Sequence, residues 1–127
     1  MIRDSVPSDS EEISRLCICQ YKRLPWPICP EVVGTGWRVR SQGDTLSGAM
    51  CYSLSDRLYV LYLWVEDNFA GYRAAVELSR DAEKLAEKFH KPLLFGIPVD
   101  NERFMKVVMG AGYAPTHITF EKVNKNE

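Results

Sequence analysis

Residues 58–75 read LYVLYLWVEDNFAGYRAA, an apolar run that ends in a short acidic turn and a helix-like segment. The first eight residues are apolar on both faces of an extended chain, which predicts a central strand covered on two sides. Apolar residues recur at helical spacing over residues 71–90 and predict the longest helix. A helix N-terminus presents unpaired N–H groups and a partial positive charge, so this turn has a phosphate-binding geometry, although an ordinary connection has it as well.

The flanking segments extend this pattern to a mixed α/β chain. Residues 25–36 are rich in Pro and Gly, which predicts an irregular connection. In chain order, the other predicted elements are a strand at 1–5, a helix at 8–24, a hairpin of strands at 37–40 and 46–54, a strand at 93–97, a helix at 101–109 and a strand at 117–123. The sequence therefore predicts one domain over residues 1–123 and a frayed tail at 124–127.

Composition narrows the function classes. The chain has 127 residues, of which 46% are hydrophobic and 26% charged, enough for one buried core. Its 16 basic and 17 acidic residues give a net charge of -1, which disfavours binding to nucleic acid or to an anionic membrane. The N-terminus lacks the apolar segment of a signal peptide, and no apolar run is long enough to span a membrane. These features predict a soluble, cytoplasmic protein.

The cysteines do not indicate a metal site. Cys17, Cys19, Cys29 and Cys51 have spacings that match no zinc or thioredoxin-like pattern. Cys17 falls on the inward stripe of the first helix, and Cys51 lies in a strand-like run. We therefore expect no metal, and we expect these two residues to be buried free thiols.

Two blocks of the sequence resemble the GNAT superfamily of N-acetyltransferases. Residues 65–75 are similar to its acetyl-CoA motif, in which a valine ends the fourth strand and an acidic or proline-containing turn, an aromatic residue and [Gln/Arg]-x-x-Gly-x-[Gly/Ala] follow. Residues 101–113 are similar to a second block, with an Asn, a helix and Gly-Phe, and Gly48 stands where the family commonly has glycine. The resemblance covers most of the chain and is strongest over residues 45–120. It implies an α/β (α+β) fold whose mixed, mostly antiparallel sheet has a splayed central strand pair and helices on both faces.

The resemblance also implies a cofactor, acetyl-CoA, and the residues that bind it. In the family, main-chain groups of the fourth strand bond the pantetheine arm, and amides of the following turn hold the pyrophosphate. The implied cofactor-binding residues are Leu63, Trp64 and Val65 for the pantetheine, Phe69, Ala70, Gly71, Tyr72, Arg73, Ala74 and Ala75 for the pyrophosphate, and Asn101 beside the cofactor.

Three positions depart from the family pattern. Ala70 replaces the usual Gln or Arg, and Arg73 replaces the glycine that lets pyrophosphate approach the backbone. Arg73 would either obstruct the site or compensate by pairing its guanidinium with phosphate. Val108 stands where many members carry the tyrosine that protonates the departing thiolate, and valine cannot donate a proton.

The candidate catalytic residues follow from these departures. Tyr113 and Tyr72 are alternative proton donors, although Tyr113 also suits a core aromatic and Tyr72 a surface position. Glu66 and Asp67 are the nearest carboxylates for a general base, although acidic residues before a helix also complement its dipole. We take Tyr113 and Glu66 as the catalytic candidates.

Two functions remain open at this point. One is acetyl transfer to a primary amine of a small molecule or peptide, which would enter beside the irregular segment around Trp26 and Trp37. The other is a catalytically inactive GNAT-like binding or structural module, including one encoded by a phage or prophage. A homodimer or an assembly partner is compatible with both.

Overall fold

The computed structural model describes residues 1–21, 36–97, 102–116, 120 and 122. The chain divides into two compact units, Met1–Gly96 and Ile97–Glu127. The first unit contains, in chain order, β1 (Ile2–Asp4), a 3₁₀ turn (Pro7–Asp9), α1 (Ser10–Tyr21), β2 (Gly36–Gln42), β3 (Thr45–Leu54), β4 (Leu58–Val65), α2 (Phe69–Phe89) and β5 (Leu93–Phe95), and the second contains α3 (Glu102–Gly110).

The five strands form one sheet in the order β1-β2-β3-β4-β5. The first three pairs are antiparallel, and β4 and β5 are parallel. The hairpin of β2 and β3 turns at Gly43, whose φ of 65° is one that glycine adopts without a steric penalty. The structure thus confirms the predicted mixed, mostly antiparallel sheet, the hairpin and the central strand.

β4 and β5 pair over only part of the length of β4. The pairs are Leu58 with Leu93, Tyr59 with Leu94 and Val60 with Phe95. The ladder ends where the Gly96 N–H donates to the Val60 carbonyl at 2.8 Å. Beyond that point, no described strand pairs with this side of β4, and we call the unpaired side of residues 61–65 the open edge. The predicted splayed strand pair is confirmed.

A bulge in β4 is a physical reason for this divergence. In the β3–β4 register, Tyr52 opposes Val60 and the adjacent Cys51 opposes Tyr62, so Leu61 is an extra residue on β4. A bulge bends its strand and increases its local twist. β4 therefore leaves the direction of β5 directly after the last residue that the two strands share.

The two long helices cover opposite faces of the sheet. On one face α1 packs over a core that includes Leu16, Cys17, Trp37, Cys51 and Trp64. On the other face α2 packs over a core that includes Met50, Val60, Ala74, Leu78 and Ala82. Cys17 and Cys51 are buried free thiols, as expected, and burial raises the pKa of the Cys17 thiol.

Two arginines of β2 bind α2 to the sheet. Arg38 donates from Nε and Nη2 to the two carboxylate oxygens of Asp81, at 2.8 and 3.0 Å. Arg40 pairs with Glu77. The two arginines are two residues apart in a strand, and their two carboxylate partners are four residues apart in a helix. Both spacings correspond to roughly 6 to 7 Å along the element, so each arginine lies opposite its partner.

The ends of α2 differ slightly from the predicted bounds of 71–90. The helix begins at Phe69, because Asn68 caps it and accepts the Gly71 N–H on Oδ1 at 3.0 Å. It ends at Phe89. The next residue, His90, adopts a left-handed conformation, and its N–H donates to the carbonyls of Ala86 and Glu87. Such a residue terminates a helix and satisfies its last carbonyl groups.

α1 begins after a 3₁₀ turn, with an aspartate at the junction. The Asp9 carboxylate accepts hydrogen bonds from both terminal nitrogens of Arg3, at 2.8 and 3.0 Å, and from the Val6 N–H at 2.9 Å. The bonds from Arg3, with that from Val6, outweigh burial and lower the pKa of Asp9. The charged form of Asp9 is therefore favoured in the folded state.

Replacing Asp9 should make the protein less stable at neutral pH and less sensitive to acid. A carboxyl group whose pKa is lowered by folding stabilises the folded state at pH values above the ordinary aspartate pKa of about 3.9. This stabilisation is lost as the pH falls through the lower pKa of the folded state. We expect Asp9→Asn to cost about 1 kcal/mol near pH 7, and the difference from the unchanged protein to shrink below about pH 4. Urea denaturation at several pH values measures this, with Asp44→Asn, at an exposed turn position, as the control. A difference that is independent of pH would contradict it.

The second unit is described mainly through α3. This helix starts one residue after its predicted start, and Gly112 follows it with a φ of 97°. The predicted final strand at 117–123 lies largely outside the described residues, and the tail at 124–127 lies wholly outside them. The predicted irregular segment at 25–36 also lies outside them except for Gly36, which begins β2. The single domain over 1–123 stays a prediction. No helix among the described residues is long and apolar enough to span a bilayer.

Candidate functional site

The open edge presents main-chain groups of two residues. The Glu66 N–H donates to the Ser47 carbonyl at 3.0 Å, so Glu66 faces β3. Residues of an antiparallel strand face the partner strand alternately, so Trp64 also faces β3 while Leu63 and Val65 face the other side. That side is the open edge. The N–H and C=O groups of Leu63 and Val65 are thus directed to where β5 has ended.

The side chains of residues 63–65 of β4 pack into the two cores on opposite faces of the sheet. Leu63 and Val65 pack against the core under α2. Trp64 is fully buried on the α1 face, where its ring centroid lies 5.4 Å from that of Trp37 and 5.1 Å from that of Tyr62. Of the three residues predicted to line the pantetheine, Leu63 and Val65 therefore present main-chain groups to the open edge, and Trp64 does not. Trp37 is itself buried, and residues 25–35 of the predicted acceptor entrance lie outside the described residues, so that entrance stays a prediction.

The cap on α2 determines which N–H groups of the first turn are available. The Gly71 N–H donates to the Asn68 side chain, and the Tyr72 N–H donates to the Asn68 carbonyl at 3.1 Å. Within the described part of the chain, the N–H groups of Phe69 and Ala70 have no acceptor. The helix starts two residues earlier than predicted, so within the predicted cradle at 69–75 these two N–H groups are the ones available to a ligand, and the pyrophosphate role of the cradle stays a prediction.

The later cradle positions have other roles. The N–H groups of Arg73, Ala74 and Ala75 belong to the helix, where each has a carbonyl four residues earlier as its partner. The Ala74 side chain is buried against β3, and a Cβ added to Gly48 would lie 2.7 Å from the Ala74 Cβ. Gly48 therefore allows α2 to pack closely on the sheet.

Three exposed side chains surround the two available N–H groups. Phe69 is 73% exposed and Tyr72 54% exposed. Arg73 is also exposed, and it forms no hydrogen bond or ion pair with another residue that the structure describes. Arg73 lies three and four residues after Ala70 and Phe69, so it shares their side of the helix.

The predicted base is engaged in an ion pair. Glu66 Oε1 lies 2.6 Å from Arg15 Nη2, and the Glu66 side chain is 23% exposed. The neighbouring Asp67 is exposed. The catalytic role of Glu66 stays a prediction.

The remaining candidates belong to the second unit or lie outside the described residues. Tyr113 is half-buried, and its N–H donates to the Val108 carbonyl at 3.1 Å. Val108, at the position where the family commonly has tyrosine, is buried. Asn101 lies outside the described residues. The proton-donor role of Tyr113 and the cofactor contact of Asn101 stay predictions.

Sequence reasoning missed two residues that shape this site. Asn68 had a local signal, because an asparagine at the start of an apolar helical pattern is a preferred N-cap. Arg15 had only a partial one, since Glu12 lies three residues earlier but Glu66 is distant in the sequence. Helical spacing identifies the pair of Arg15 with Glu12, and only the tertiary structure identifies the pair of Arg15 with Glu66.

The fold is similar to that of solved proteins that include two acetyltransferases and a transcriptional regulator. An aminoglycoside acetyltransferase from an uncultured soil metagenomic sample is 10% identical with a TM-score of 0.77, over 98% of this chain and 96% of that chain. A ribosomal-protein-alanine N-acetyltransferase from Brucella melitensis biovar Abortus 2308 is 14% identical with a TM-score of 0.77, over 98% and 99%. A transcriptional regulator from Bacillus halodurans C-125 is 11% identical with a TM-score of 0.78, over 98% and 99%.

At these identities the likeness shows the fold, and it confirms the fold class predicted from the GNAT resemblance. No family model and no curated protein sequence matches the chain.

Proposed function

We propose that the protein is an acetyl-CoA-dependent N-acetyltransferase that acts on a primary amine. The observation that carries the proposal is the continuity between two sets of main-chain groups. Leu63 and Val65 face the open edge, and the chain then leads directly to the N–H groups of Phe69 and Ala70, which lack a described acceptor. An extended ligand with amides at one end and phosphates at the other fits this order.

Each part of the site has a distinct role in the proposal. The pantetheine arm contains amides, which Leu63 and Val65 would bond as a neighbouring strand would. The pyrophosphate would accept from the Phe69 and Ala70 N–H groups at the positive end of the α2 dipole. When bound, acetyl-CoA supplies an activated acetyl thioester. A main-chain N–H at the open edge would polarise the thioester carbonyl, where negative charge develops during attack by the amine.

Proton transfer needs a base for the amine and a donor for the departing thiolate. Glu66 is the proposed base and Tyr113 the proposed donor. Tyr72 is an alternative donor, and its exposed side chain on the first turn of α2 supports that alternative.

Binding and transfer can be tested separately. Calorimetry with acetyl-CoA should show saturable binding, and release of free thiol should require an added amine. The acceptors to try first are an aminoglycoside and a peptide with an N-terminal alanine, because two proteins of the same fold are named for such substrates. Absence of binding at millimolar acetyl-CoA would contradict the proposal.

Replacing Arg73 tests whether its guanidinium holds phosphate or blocks it. Because Arg73 is exposed beside the available N–H groups, we expect Arg73→Gly to weaken acetyl-CoA binding about fivefold by removing a solvent-screened phosphate contact. Arg80→Gly is the matched control, since it removes the same charge from another exposed position of α2 and has the same cost in helix propensity. Calorimetric titration measures both. Tighter binding by Arg73→Gly would show obstruction instead.

A second candidate function is a module that binds the cofactor or a partner without transferring acetyl groups. Arg73 at the family's glycine position and the buried Val108 at its tyrosine position favour this alternative. Saturable binding of acetyl-CoA with no thiol release for any acceptor would support it.

A further inference from the structure

The guanidinium of Arg15 joins three separate segments of the first unit. Its Nε and Nη2 donate to Glu12 Oε2 and Oε1 at 2.8 and 3.0 Å, within α1. Nη2 also donates to the Leu46 carbonyl at the start of β3, at 3.0 Å. The same nitrogen lies 2.6 Å from Glu66 Oε1, immediately after β4. One side chain thus contacts α1, β3 and the turn that leads to α2.

Two further hydrogen bonds close this network. The Leu46 N–H donates to Glu12 Oε1 at 3.0 Å, and the Glu66 N–H donates to the Ser47 carbonyl at 3.0 Å. Glu66 is therefore fixed by both its main chain and its side chain. Bonds of a guanidinium to carboxylates are charge-assisted and directional, so they define the position of Glu66 more narrowly than a neutral contact would.

The position of Glu66 bears directly on the available N–H groups. Its carbonyl oxygen lies so close to Gly71 that a Cβ on Gly71 would overlap it. Glu66 therefore sets the course of the chain between the open edge and the first turn of α2.

We infer that Arg15 is a positioning residue for this turn, and that it aligns the Phe69 and Ala70 N–H groups with the open edge for the pyrophosphate of acetyl-CoA. The ligand part of this inference rests on the proposed function. The alignment part concerns the unliganded protein alone.

The inference predicts a selective loss of affinity. S-acetylpantetheine has the thioester and the pantetheine amides but no pyrophosphate, so its binding depends on the open edge and not on the turn. Arg15→Gln should weaken acetyl-CoA binding about tenfold, the loss expected when a charge-assisted contact is misaligned. It should leave S-acetylpantetheine binding unchanged. A purely structural role would not alter one affinity relative to the other.

Arg38→Gln is the matched control. Arg38 forms an equivalent two-bond pair with Asp81, and its side chain also pairs with Asp4, but these contacts lie between the sheet and the middle of α2. Each substitution removes a guanidinium from two carboxylates, Glu12 and Glu66 for Arg15 and Asp4 and Asp81 for Arg38. Ligand affinities are measured at a temperature well below the unfolding midpoint of each variant, so that a loss of stability does not appear as a loss of binding.

Hydrogen exchange measures the alignment without a ligand. The Glu66 N–H is hydrogen-bonded to the Ser47 carbonyl of β3, and the N–H groups of Gly71 and Tyr72 are hydrogen-bonded to Asn68. In Arg15→Gln they should exchange about tenfold faster than in the unchanged protein, because local opening of the turn becomes easier. In Arg38→Gln they should not.

Each outcome decides part of the inference. Faster exchange and selective loss of acetyl-CoA affinity in Arg15→Gln alone would support it. Equal losses for both ligands, or unchanged exchange of the turn amides, would overturn it. If the unchanged protein binds neither ligand, the proposed function fails and the pyrophosphate role fails with it, while the exchange result still decides whether Arg15 orders the turn.

Discussion

Gly71→Ala should destabilise the protein by about 3 kcal/mol, the upper part of the range for an added methyl group with no space to occupy. The new Cβ would overlap the carbonyl oxygen of Glu66, which is main chain and is held by the hydrogen bond from the Glu66 N–H to Ser47. Gly71 does not have a positive φ, so the requirement is space and not backbone conformation. Alanine is otherwise the better helix former by about 1 kcal/mol, so the clash must reverse this preference.

Chemical denaturation followed by circular dichroism measures the effect. Gly110→Ala is the matched control, because Gly110 is also helical and a Cβ there meets no atom within 4 Å. We expect that substitution to be neutral or slightly stabilising. If Gly71→Ala proved as stable as the control, the turn after β4 would not be packed as tightly as described.

Val65→Pro should weaken acetyl-CoA binding at least about tenfold while the protein stays folded. Proline removes one N–H group, and at Val65 this group faces the open edge, so no hydrogen bond to β3 is lost. The pyrrolidine ring would also project into the position proposed for the pantetheine. Loss of one hydrogen bond accounts for up to about tenfold, and the ring adds steric exclusion.

Val65→Ala is the control for this substitution. It removes side-chain packing under α2 but retains the N–H group, so stability should fall and acetyl-CoA affinity should not. Calorimetry measures affinity, and circular dichroism checks that both variants are folded. Equal affinity of the proline and alanine variants would mean that the Val65 N–H does not contact the cofactor.

The elements with strong periodicity could be predicted from the sequence. β4 lies at residues 58–65 as predicted, because a run that is apolar on both faces is stable only between two packed layers. α2 has the predicted length within two residues, since the inward stripe of Ala74, Leu78 and Ala82 is regular. The splayed strand pair was implied by the GNAT resemblance and not by periodicity.

Features that depend on contacts between distant segments could not be predicted. The bulge at Leu61 is a property of the register between β3 and β4, and the amino-acid sequence of β4 alone does not specify it. The ion pair of Arg15 and Glu66 joins residues whose proximity only the packed sheet creates. Asn68 is different, because its capping role follows from local sequence, and its omission displaced the predicted start of α2 by two residues.

We propose that main-chain N–H groups of β4 and of the first turn of α2 bind acetyl-CoA. Titration of the ¹⁵N-labelled protein with acetyl-CoA, followed by amide chemical shifts, tests it most directly. We expect saturable shifts, with one dissociation constant, for the amides of Leu63, Val65, Phe69 and Ala70. Saturable shifts confined to other amides, or no saturable shift at millimolar acetyl-CoA, would contradict it.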